Sequence, residues 1–254
     1  MPGERREVSG LVSSARYPGV GWTVRDSGNP ATLYSFELRP GSEAIRSQAF
    51  PVRGATNGDW EDVAYTTGAD GRGRLWISDN VNRRTAPKVL WEVLEPDPDH
   101  DTEASVAGRY RWEYPDFPGG NADTETAFFL GPTLTVVSKT SPSRVYRFDL
   151  PLDPAAVNRP VPAGIVPAGE KMTLGSVSAD GRLLVTSSTH DQTAWVYANR
   201  HEPPDLAGFF GHGPDVTRRL SRSQREAGAF FPYGGCDIVL LSERQNVWLL
   251  ANRR

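Results

Sequence analysis

The chain has 254 residues with 38% hydrophobic and 10% aromatic content, enough to build a core and to exclude wholesale disorder. Its net charge is −3, so it lacks the basic footprint of a nucleic-acid binder, and no apolar run is long enough for a membrane span. Cys236 is the only cysteine, which excludes an internal disulfide and a cysteine-rich zinc site and makes an inert packed thiol the expectation.

Apolar segments are short, rich in Val, Leu, Tyr, Phe and Trp, and punctuated by Gly, Pro, Asn and Asp, which predicts strands throughout. Only 153–158 and 219–228 are expected to hold a helical turn. The first unit, 8–52, reads as strands at 9–12, 21–24, 32–38 and 47–52. The second, 61–114, has strands at 62–65, 74–78, 88–93 and 108–114. The acidic insertion Glu95 to Glu103 between its last two strands is expected to be a solvated loop. The third unit, 125–167, has strands at 126–129, 134–138 and 144–149, with an outer edge in 151–167. The fourth, 174–220, has strands at 174–178, 183–186 and 193–197, with an outer strand in 206–220. The fifth, 226–254, has three strands.

First strands align on Ser9, Glu61, Glu125, Gly175 and Glu226, a repeat of roughly 50 residues with about four strands per unit, the pattern of a propeller blade. The expectation is therefore an all-β chain forming one domain over 1–254. It is a five-bladed β-propeller whose last blade is completed by an N-terminal strand around 5–8, leaving no open edge. A two-sheet sandwich is the alternative, and it does not explain the spacing.

In a propeller the innermost strands line a channel. That geometry gathers Glu61, Glu125 and Glu226 at one mouth, with Asp26, Asp79, Asn80, Lys139, His190 and Glu243 on its rim. Asp59, Asp123 and Gln224, each two residues before its glutamate, form a second set. Carboxylates this close repel one another, so either some are protonated or a cation sits among them. Oxygen donors from Glu61, Glu125, Glu226 and Asn80 suit Ca²⁺ or another hard divalent cation. The competing reading is structural, with each glutamate accepting backbone N–H groups of the next blade. Trp22, Trp76, Trp91, Trp195 and Trp248 read as packing residues, whereas Trp60, beside Glu61, is a candidate to wall a ligand.

The segments Ser9-Gly10-Leu11, Arg25-Asp26-Ser27-Gly28, Asp59-Trp60-Glu61-Asp62-Val63-Ala64 and Ser78-Asp79-Asn80 resemble a bacterial family of phytase-like or WD40-like β-propeller proteins. So do Tyr114-Pro115-Asp116, Asp123-Thr124-Glu125, Val137-Ser138-Lys139 and Gln224-Arg225-Glu226-Ala227, in order along nearly the whole chain. A distant similarity to gluconolactonase-like enzymes goes with it. The chain departs from the pattern at Gly175-Ser176 and at Asp79-Asn80-Val81-Asn82.

The expected function is that of an enzyme acting on a small molecule by acid/base chemistry, a hydrolase or a lyase/isomerase. Glu61, Glu125, Glu226, Asp26, Asp79, Lys139 and His190 would do the work, with possible help from a Ca²⁺-like ion. A non-catalytic binding scaffold, or a ring that a metal merely stabilises, is the alternative. The partner is a small-molecule substrate, with neither nucleic acid nor membrane expected, and the chain reads as a cytoplasmic monomer.

Overall fold

The computed structural model describes residues 8–37, 46–81, 87–117, 122–168, 170–188, 192–220, 225–231, 237–242 and 247–250. Residues 5–7 of the predicted closing strand, His190, Glu243 and Cys236 lie outside these residues, and Val8 pairs with Arg25 in the first group. The strands come in successive antiparallel groups. The first holds β1 (Val8–Ser13), β2 (Val20–Arg25), β3 (Thr32–Glu37) and β4 (Arg46–Arg53). The second holds β5 (Trp60–Thr67), β6 (Gly73–Asp79), β7 (Lys88–Leu94) and β8 (Ala104–Trp112). In the third, β9 (Thr124–Leu130), β10 (Thr133–Ser138) and β11 (Arg144–Phe148) are followed by the short β12 (Val157–Asn158) and by β13 (Val161–Ile165), which completes the sheet. The fourth runs β14 (Met172–Val177), β15 (Leu183–Ser188), β16 (Thr193–Ala198), helix α1 (Leu206–Phe210) and β17 (Val216–Arg219). The last holds β18 (Arg225–Phe231), β19 (Asp237–Ser242) and β20 (Val247–Leu250).

Each group begins with its inner strand, and these strands meet in a closed circuit: β1 against β5, β5 against β9, β9 against β14, β14 against β18, and β18 back against β1. The architecture is all-β and β-propeller-like. The outer strands of the first two groups also pair in parallel, Val52 with Ala104 and Arg53 with Ser105, which joins them into one continuous sheet.

The core explains why these strands are apolar on both sides. Successive residues of a strand point to opposite faces, and here each face meets a different neighbouring sheet. Val63 joins Trp22, Leu33, Phe50 and Ile77 between the first and second groups, whereas adjacent Ala64 joins Trp112, Leu134 and Tyr146 between the second and third. The same division repeats between the third and fourth groups around Phe128, Val145 and Trp195, and between the fourth and fifth around Leu174, Val185 and Leu240. Val8, Leu11 and Phe36 against Phe231 and Val239 close the circuit.

Three local expectations are corrected. Residues 153–158 carry no helix, and 216–219 and 225–228 are strands; the one helix among the described residues is α1, which precedes β17, the outer strand expected within 206–220. It is capped by Asp205, whose side chain accepts from Gly208 N. Trp60 does not wall a ligand: it is fully buried in the first core cluster and donates its indole N–H to Thr56 O at 3.1 Å. The acidic insertion is exposed over 99–103 but buried at its start, at Glu95 and Pro96. Glu95 is buried, accepting from Trp22 Nε1 at 2.8 Å and from Tyr65 OH at 3.1 Å, so it ties the first two groups together.

Candidate active site at the channel mouth

A repeated irregularity builds the mouth. In β5 the pairing with β6 runs Trp60 to Asp79 and then Asp62 to Ser78, leaving Glu61 as an extra residue in a β-bulge. The other inner strands have the same shift: Glu125 is extra in β9, Gly10 in β1, Thr173 in β14 and Glu226 in β18. A bulge re-aims its extra residue out of the alternation. The positions equivalent to the three glutamates are therefore Gly10 and Thr173 rather than Ser9 and Gly175. The backbone of Glu226 occupies its predicted place; its side chain is outside the described set.

Glu61 and Glu125 are held in parallel ways. Asn80 and Lys139 each follow the second strand of their group, and each donates its backbone N–H to the carbonyl two residues before the glutamate, Asp59 O at 3.0 Å and Asp123 O at 2.8 Å. Each also turns its side chain onto its own glutamate. Asn80 Nδ2 donates to Glu61 Oε1 at 3.3 Å, and Lys139 Nζ pairs with Glu125 Oε1 at 2.5 Å.

Around Glu61, oxygen atoms of Asp26, Asp59 and Glu61 lie within 4.8 Å of one another. Asp59 and Glu61 are buried and Asp26 is half-buried. Burial is the main force pushing the Glu61 carboxyl up, to about 11, with repulsion from Glu125, Asp26 and Asp59 adding to it and Lys139 opposing it. Burial likewise raises Glu125, but the charge and hydrogen bond of Lys139 pull it back to about 7 against Asp123 and Asp26.

Asp79 is near but faces inward. Its carboxylate accepts from Asp59 N at 2.9 Å, Val81 N at 2.8 Å and Trp91 Nε1 at 2.9 Å. That leaves it positioning the Asp59 segment and holding β-branched Val81 at φ 56. Asn80 does not offer its oxygen to the mouth either. Its Oδ1 accepts from Lys88 Nζ at 2.7 Å and from Thr124 N at 3.2 Å. Both partners are obligate donors, so the amide nitrogen must be the atom that faces Glu61.

Two buried groups were missed by sequence reasoning. Lys88, only 1% exposed, sits beneath Asn80. Asp62, which the strand alternation would turn away, lies where the inner strands β1, β5 and β9 face one another. It accepts from Val63 N at 2.8 Å and Ala127 N at 2.6 Å, and from the Leu11 backbone. Asp62 thus fills a structural role of the kind considered for the glutamates. Gly10 admits it: a side chain there would meet Asp62 Cα and Oδ1 at 2.6 Å, on a backbone with φ +67.

No family model matches the chain, and no curated protein matches it in sequence. Among solved structures it is similar to a periplasmic gluconolactonase from Pseudomonas aeruginosa, PpgL, with 13% identity over 96% of this chain and 81% of that one and a TM-score of 0.53. It also matches a luciferin-regenerating enzyme with 9% identity, over 98% and 76% of the two chains, at a TM-score of 0.49. At 13% identity the likeness to PpgL concerns the fold alone, which is β-propeller-like. The phytase-like side of the resemblance gains no support from these matches.

Proposed function

We propose that this chain is a five-bladed propeller hydrolase that opens small lactones or esters at the acid-lined mouth. The observation that carries this reading is the crowding of Asp26, Asp59 and Glu61 beside a Glu125–Lys139 pair. Natural folds rarely bury like charges together without a task for them. The shared fold with a gluconolactonase supports a lactone as the first substrate to try.

The donor set fits a hard cation. Asp26, Asp59 and Glu61 would hold it, since their oxygens span no more than the roughly 5 Å that separates ligands across a calcium ion. When bound, such an ion supplies Lewis-acid polarisation of a carbonyl oxygen. Asn80 is a donor to Glu61 rather than a ligand. Glu125, held near neutrality, is the general base that takes a proton from the attacking water, and the Lys139 ammonium steadies the carboxylate before and after that transfer. Glu226 and His190 belong to the same proposed mouth as the remaining members of the sequence-derived set. Asp79 contributes by fixing Asp59.

A structural ring is the second reading, favoured by Asp62 and Asp79, whose carboxylates are taken up by backbone N–H groups. They account for two carboxylates. Asp26 also accepts from Ser27 N and Glu61 from Asn80 Nδ2, and the hydrolase reading rests on the crowding of the three acids. A panel of aldonolactones and p-nitrophenyl esters, assayed with and without added calcium, separates the two. Turnover should be present in wild type and lost in Glu61→Gln and Glu125→Gln with unchanged circular dichroism. Wild-type rates in Glu61→Gln, or no turnover of any substrate, would overturn the hydrolase reading.

A further inference from the structure

We propose that Lys88 is a positioning residue for Glu61, acting through the side-chain amide of Asn80; the idea rests on the hydrolase reading of this mouth. Lys88 opens β7 and is buried, although a lysine is among the residues least often buried completely. Burial lowers its pKa, and the surrounding Asp123, Asp59, Glu61 and Asp79 favour its charge. The side chain spends its Nζ on Asn80 Oδ1 at 2.7 Å rather than on a carboxylate.

The chemistry of the amide gives that contact its meaning. An asparagine can present either its oxygen or its nitrogen to a neighbour. Facing an ionised Glu61, the oxygen would repel the carboxylate, whereas the nitrogen donates to it. Lys88 Nζ and Thr124 N together pin the oxygen on the far side, so the nitrogen is turned onto Glu61 Oε1 at 3.3 Å. Without Lys88, the amide oxygen would keep only the longer Thr124 contact of 3.2 Å. Asn80 is fully buried, leaving it no water to compensate with. Lys88 thereby decides which atom Glu61 meets and keeps its Oε1 in place, without touching substrate itself.

The test compares Lys88→Met, Asn80→Leu and the double variant on the substrate that wild type turns over best. Each single substitution should lower kcat by roughly 10–100-fold with KM nearly constant, as displacement of a reacting group does. The double variant should be no slower than Asn80→Leu, because the two residues act in series. A Lys88→Met enzyme with wild-type kcat, or losses that simply multiply in the double variant, would overturn the proposal. A second measurement needs only folded protein. With ¹⁵N-asparagine labelling, the Asn80 Nδ2 protons should be slow to exchange with solvent and shifted from free asparagine in wild type, and both effects should diminish in Lys88→Met. Identical signals in both proteins overturn the assignment even if kcat falls. If no substrate is turned over, the hydrolase reading fails while these signals still decide the role of Lys88. Should Lys88→Met not fold, Lys88→Gln, which retains a donor of shorter reach, takes its place with the same expected outcomes.

Discussion

Replacing Asp62 with alanine should be among the most damaging changes the fold can suffer, although it deletes only a small side chain. The carboxylate satisfies backbone N–H groups of Val63, Ala127 and Leu11, one from each of three inner strands. Each orphaned buried donor costs about 1–3 kcal/mol. Burial pushes the Asp62 carboxyl well above its ordinary range, so its own desolvation already weighs against the fold and removing it returns part of the loss. A net loss of about 3–5 kcal/mol follows, a large part of the stability of an ordinary domain. Asp62→Asn should do little better, because its NH₂ would face the N–H that now donates to the second carboxylate oxygen. Urea unfolding followed by tryptophan fluorescence measures the change, with Asp70→Ala as control. Asp70 is an exposed partner of Arg74, and its loss should leave the urea midpoint almost unchanged. A cost below about 1 kcal/mol for Asp62→Ala, with an unchanged m-value, would refute the idea that this carboxylate ties the inner strands together.

Gly10→Ala should destabilise by about 3 kcal/mol or more, since its Cβ would overlap the Asp62 and Val63 backbone at a positive φ; expression level and melting temperature report it. In ion-free buffer, stability should fall as pH rises from 5 to 8. Glu61 and Glu125 hold protons in the fold above the unfolded value of 4.5, so their contribution is complete below that value and is lost through about 7 for Glu125 and onward to about 11 for Glu61. The slope is bounded by about 1.4 kcal/mol per pH unit for each proton, and a urea midpoint that rises across this window would contradict it. Added Ca²⁺ should raise the melting temperature more at pH 8 than at pH 5 and release protons on binding, measurable by calorimetry in buffers of different ionisation enthalpy. Equal shifts at both pH values would count against carboxylate ligation.

Much of this was legible in the sequence because repetition exposes it. Strand positions and the recurrence of Glu61 and Glu125 follow from a pattern that local turn chemistry and two-sided burial impose on every unit. Asp62 is not singled out by alternation, which assumes an unbroken ladder; the bulge at Glu61 breaks it, so consecutive acids acquire different tasks. Asn80 was read as a ligand because its residue type offers an oxygen; only the long-range approach of Lys88 and Thr124 shows which end of the amide is committed. Lys88 gave no signal, since a lysine at a strand start is ordinary until tertiary packing buries it.

The recurring bulge has a consequence for how such a molecule can change. Because each extra residue sits outside the ladder, its side chain can be exchanged with little effect on the pairing on either side of it. Gly10, Glu61, Glu125, Thr173 and Glu226 then behave as a socket of interchangeable fittings on a fixed frame. Gly10, hemmed in by Asp62, is the fitting that cannot be enlarged. Thr173 offers the natural place to graft a fourth acid or a base, and so to retune the chemistry of the mouth while the sheets stay as they are.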